Sequence, residues 1–152
     1  MAAEGSGPYV QVAALCETFI KGAQSGALSL INIVEGITIG GEDPDQMPPI
    51  TLGPPLKIVI NLWAGQTKGR YALKLRPEEP SGVQGDPIML GPIQFGDTGA
   101  RGVDTILPMP QYEVTEEGIT WFDVLFAGKG QEDQLLTRIP FSVTYQPQPP
   151  QV

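Results

Sequence analysis

Glycine and proline punctuate this chain at short intervals, and the apolar runs between them are too short for ordinary helices. Nineteen glycines and sixteen prolines are spread over 152 residues rather than gathered in one block. Proline has no N–H for a helix or a central ladder, and glycine supplies the backbone angles of tight turns. Turn signals that recur roughly every dozen residues mark an all-β chain of short strands.

The runs themselves alternate with the period of a strand. From Leu56 to Ala64, Leu56, Ile58, Ile60 and Leu62 point one way, while Lys57, Val59, Asn61 and Trp63 point the other. Tyr71, Leu73 and Leu75 repeat the pattern after a turn around Gly65 to Gly69, so the two segments read as a hairpin. Tyr9 to Cys16 reads as a strand with Val10, Val12, Ala14 and Cys16 on one face. A helical stripe of Val12, Leu15, Cys16, Phe19 and Ile20 competes over 12–22, and strand is preferred because Gly22 would end that helix early. Lys21 to Gly26 reads as a turn, and Ala27 to Ile39 as one β-branched run with Gly36 inside it.

Gly40 to Pro55 reads as a long irregular connection, Ile88 to Phe95 as a segment broken at Gly91-Pro92, and Val103 to Leu107 as a strand. Ile119 to Ala127 and Leu135 to Tyr145 form the most apolar pair, with Pro140 marking an edge or a bulge. The expectation is about eight strands in an antiparallel two-sheet β-sandwich, Ig-like or jelly-roll in type, with a closed β-barrel as the alternative. The domain layout follows: a flexible start over 1–8, one β-sandwich domain over 9–145, and a Pro/Gln-rich tail over 146–152.

Composition removes much chemistry. There is no histidine and only one cysteine, Cys16. A Ser-His-Asp or Cys-His nucleophile, a zinc finger and an internal disulfide are thereby excluded. Cys16 reads as a small buried hydrophobe, and a lone thiol fits a reducing cytoplasm. The net charge of −8 opposes nucleic acid and anionic membranes, and no apolar stretch is long enough for a spanning helix. The first residues lack the basic and apolar regions of a signal peptide. No cofactor is expected, and Gly99-Ala100-Arg101-Gly102 lacks the spacing of a phosphate loop.

Acidic residues gather in two places. Glu42, Asp43 and Asp45 beside Gly40-Gly41 offer hard oxygen ligands for Ca²⁺, but without EF-hand spacing a solvated loop is the simpler reading. Glu113, Glu116, Glu117 and Asp123 surround the turn before the last hairpin and are the only basis for a carboxylate-driven hydrolase, a remote alternative. Asp123 lies inside an apolar strand, either as an outward-facing residue or as a partly buried group paired with Arg138 across that hairpin, a pairing that would fix its register. Of the aromatics, Trp63 shares the wetter phase with Lys57 and Asn61. Trp63, Trp121 and Leu125 are the candidate interaction residues if their phase is outward.

Two stretches carry a resemblance. Ala14-Leu15-Cys16-Glu17 with Gly26-Ala27-Leu28-Ser29-Leu30, and Gly118 to Leu125 with Leu136-Thr137-Arg138-Ile139-Pro140-Phe141, resemble the opening and the closing hairpin of a family of small bacterial proteins of unknown function. The likeness spans Val12 to Tyr145. It implies a stand-alone β-sandwich and supplies no activity. The leading functional expectation is therefore a non-enzymatic structural or protein-interaction module whose partner is another protein or, in a self-assembling version, a second copy. The alternative is a sandwich that binds a glycan or Ca²⁺.

Overall fold

The computed structural model describes residues 7–96 and 102–148, and every regular element in them is a β-strand. In chain order these are β1 (Tyr9–Lys21), β2 (Leu28–Ile33), β3 (Gly36–Gly41), β4 (Ile50–Leu52), β5 (Lys57–Trp63), β6 (Gly69–Glu78), β7 (Ile88–Phe95), β8 (Gly102–Pro108), β9 (Tyr112–Val114), β10 (Gly118–Gly128) and β11 (Gln134–Pro147). They form a four-stranded sheet ordered β2-β1-β5-β8, a five-stranded sheet ordered β3-β11-β10-β6-β7, and the separate pair β4-β9. All pairings are antiparallel except β3 with β11.

Alternation along each strand delivers one apolar face from each large sheet. Leu15, Ile58, Ile60 and Leu62 from the first meet Leu73, Leu75, Phe122, Val124, Phe126, Ile139, Phe141 and Val143 from the second in one core. Met47, Leu52, Met109 and Val114 from the β4-β9 region join it. Tyr71 stacks on Phe126 with centroids 4.3 Å apart, and Tyr112 meets Phe122 edge-on at 5.5 Å.

Several expectations need correction. Among the described residues there are eleven strands rather than about eight, and three sheets rather than two. One sheet curls into a half-barrel, but β2, β8, β3 and β7 remain as edges, so the sheets do not close into a barrel. The competing helix over 12–22 does not form, and β1 continues through the expected turn to Lys21 because β2 pairs with it as far as Lys21↔Leu28. A bulge between Val10 and Val12 switches the phase of β1, so Val10 and Leu15 contribute to the core while Val12 does not.

The run Ala27 to Ile39 is two strands. It leaves the four-stranded sheet at Ile33, crosses at Val34-Glu35 and enters the five-stranded sheet at Gly36. Gly36 is required at that entry: a Cβ there would lie 2.4 Å from the Ser142 carbonyl oxygen. The connection after Gly41 is not wholly irregular, because β4 forms within it against β9. Pro140 is not at a bulge, but it stands on a locally open edge as the sequence suggests. It occupies the part of β11 that has β10 on one side only, since β3 joins from Ser142 onward. β11 itself runs to Pro147, past the expected start of the tail. The rest of that tail beyond residue 148, most of the start over 1–8, and Gly99 to Arg101 lie outside the described residues.

Candidate functional site

The centre of the outer face of the five-stranded sheet carries a charged network. Strand register sets Asp123 on β10 directly opposite Arg138 on β11 and Arg76 on β6. Arg138 Nε donates to Asp123 Oδ1 at 2.6 Å, and Arg76 Nη2 donates to Asp123 Oδ2 at 3.0 Å. Asp123 is only 1% exposed. Arg138 also donates through Nη2 to Glu78 on β6, and its guanidinium lies 4.7 Å from the centre of the Trp121 ring. Hydrogen bonds from Arg138, and secondarily from Gln84, hold the Glu78 carboxyl below its usual range. Its hydrogen bonds to Asp123, and then to Glu78, raise Arg138. Both Asp123 oxygens are therefore engaged by arginines.

Because β6 and β11 flank β10, the Arg138–Glu78 pair spans β10 over Trp121. Lys74 on β6 spans it a second time, reaching Asp133 at 3.0 Å. Leu125, whose cross-strand neighbours are Lys74 and Leu135, lies beneath that second strap and is 2% exposed. Its expected place on an interaction face is corrected accordingly: its phase is outward, but long charged side chains cover it. Trp121 is half-buried under Arg138 for the same reason. Trp63 stands apart on β5, where it faces Tyr9 across the ladder, and both rings are exposed.

The acidic groups do not converge. Among the described residues no cluster of His, Cys, Asp or Glu is placed to hold a metal ion. Asp43 accepts from the Asp45 backbone N–H at 2.8 Å, and its carbonyl accepts the Tyr145 hydroxyl proton. Glu113, Glu116 and Glu117 sit around β9 and the turn into β10. Burial, then Glu79 and Glu116, push the Tyr112 hydroxyl up in pKa. The structure keeps this group separate from Asp123, which its two arginines occupy.

The surface that sequence reasoning missed is the side formed by β2 and β3. Each is the edge of its sheet, and the chain passes directly from one to the other. From Leu28 to Gly41 there is one charged residue, Glu35, and no proline. Ile33 and Ile37 are exposed, and Ile37 lines a cleft of about 430 Å³ with Val34, Ile50 and Leu56. The other edges are guarded: β7 contains Pro92 and a Gly91 with φ of 145°, and β8 carries Asp104 and ends in Pro108. Low charge over Leu28 to Gly41 was a visible signal, but the run read as one strand, and edge status follows only from the pairing.

No protein-family model matches the chain, and no curated protein is significantly similar to it. No helix among the described residues is long and apolar enough to cross a membrane.

Proposed function

We propose that this chain is a non-enzymatic protein-interaction module, built as a β-sandwich, that captures an extended segment of another protein along β3. The observation that carries the reading is an edge strand free of charge and proline beside an exposed isoleucine and its cleft, whereas the far edges β7 and β8 are guarded. β3 runs GITIGG with neither charge nor proline, and its outer ladder groups have no strand beside them. A partner strand would satisfy those groups, and Ile37 with its cleft would select an apolar side chain.

Charge favours a partner of different sequence over a second β3. An antiparallel pair of two β3 strands in full register would set Glu35 opposite Glu42, and like charges directly opposed are destabilising. A partner segment with Lys or Arg flanking an apolar stretch fits Glu35, Glu42 and Asp43 instead. The likeness to small bacterial proteins of unknown function is compatible with such a module and adds no activity. The test is replacement of Ile37 by lysine, which is expected to abolish the complex recovered with the wild-type chain while leaving the thermal melt near its original temperature. Retention of the complex by Ile37→Lys would count against strand addition.

A second reading rests on Trp63 and Tyr9. Two exposed rings facing each other across a ladder form an aromatic platform suited to a sugar ring. Quenching or enhancement of Trp63 fluorescence by an oligosaccharide panel separates this reading from the first.

A further inference from the structure

A second surface lies on the outer face of the five-stranded sheet, away from β3. At the end of that face nearest the β10-β11 turn, Ala72 and Ala127 leave a shallow floor walled by Met89 and Pro92. The resulting groove measures about 720 Å³, and Arg70 and Lys129 stand at its rim. Lys74, the third cation there, is engaged by Asp133, but neither Arg70 nor Lys129 has an ion-pair partner among the described residues. These two cations at one groove give this end of an otherwise acidic chain a local positive character.

The opposite end of the same face has the complementary character. Ile119 is 44% exposed at the start of β10, directly after the acidic turn that holds Glu116 and Glu117. Ile119 and Ala127 lie on the same side of β10, four residues on either side of Asp123. A two-fold axis near Asp123 would therefore lay Ile119 of one copy over Ala127 of the other, twice. The centre of such a contact, Arg76, Asp123, Arg138 and Glu78, sums to zero charge.

From this we infer that two copies pack antiparallel through the outer faces of their five-stranded sheets, each inserting Ile119 into the other's groove with Glu116 and Glu117 against Arg70 and Lys129. Two-fold closure is the commonest oligomer geometry, and it uses the same patch on both copies. With strands about 4.8 Å apart and rising about 3.4 Å per residue, this face covers roughly 650 Å² in projection, near the roughly 800 Å² per partner of a standard interface. The inference goes beyond strand capture and uses different residues, so either can fail alone.

The test is sedimentation equilibrium of the full chain from about 10 µM to about 1 mM. The wild type is expected to dimerise. Arg70→Glu with Lys129→Glu makes both ends acidic, and Glu116→Lys with Glu117→Lys makes both ends basic. Each double variant alone is expected to weaken dimerisation at least about tenfold, and an equimolar mixture of the two is expected to restore a dimer. A wild type that stays monomeric throughout overturns the inference. So does a wild-type dimer whose affinity neither variant changes, or a mixture that fails to recover it.

Discussion

Asp123 on β10 and Arg138 on β11 face each other at matching ladder positions, and Arg138 Nε donates to Asp123 Oδ1 at 2.6 Å. The carboxylate is buried while the guanidinium is partly exposed, so the pair sits between a surface and a core ion pair. Removing the carboxylate strands two arginines beneath solvent. Asp123→Asn is expected to cost about 3 kcal/mol, toward the low end for breaking a buried pair. In urea titrations of Asp123→Asn, Arg138→Gln and the double variant, a coupling energy of about 1–2 kcal/mol is expected. Strict additivity would show that the pair contributes nothing to the fold.

Acid weakens the strap across β10 with a defined sign. The Glu78 carboxyl is held below its ordinary value by Arg138, so its contribution is complete above the usual carboxylate range and is lost as pH falls through the lowered value. Arg138 is raised, so its charge persists throughout that acid range. Urea midpoints measured from about pH 7 to about pH 2 should fall less steeply for Glu78→Gln than for the wild type. Identical slopes would separate Glu78 from acid stability.

Entry of β3 into its sheet depends on the absence of a side chain at residue 36. Gly36→Val would push a Cβ to within 2.4 Å of the Ser142 oxygen, a backbone atom that cannot swing aside. The expected cost is about 2 kcal/mol, as for other forced overpacking. Amide hydrogen exchange should accelerate along Ile37 to Gly41 and leave β5 and β10 protected. Unchanged protection of β3 would mean that the close approach is not what positions this strand.

The thiol of Cys16 is fully buried, and burial, only partly offset by Lys57, pushes it above its ordinary pKa. Thiolate is the reactive form, so native protein near neutral pH should react with a disulfide reagent slowly, at the rate of local opening. Reaction should become complete within minutes in strong denaturant. Fast stoichiometric labelling of the native chain would contradict the burial.

How far the sequence reveals this molecule can be seen residue by residue. The alternation from Leu56 to Leu62 is legible because β5 is a central strand with one face in the core, and local period fixes such a strand. Asp123 and Arg138 are legible as a pair because they lie on two strands of one hairpin, with the turn at Gly128 to Asp133 between them. The burial of Leu125 is not legible, since it depends on Lys74, some fifty residues earlier, reaching over β10 to Asp133. Nor is the break at Val34-Glu35, because Gly36 is fixed by Ser142, over a hundred residues away. β4 is three residues long and exists only through β9, so no local pattern announces it. The cationic groove escapes for a similar reason: Arg70 and Lys129 are scattered in the chain and meet only when β6 pairs with β10.

Capture of a partner strand by β3 is tested most directly by a photo-cross-linking residue placed at Thr38 in cells that produce the chain naturally, with the same residue at Gln94 on the guarded β7 edge as the control. A discrete adduct of one mass is expected from Thr38, absent from Gln94, and lost when Ile37→Lys is added. Absence of any Thr38 adduct, or equal adducts from both positions, would contradict it.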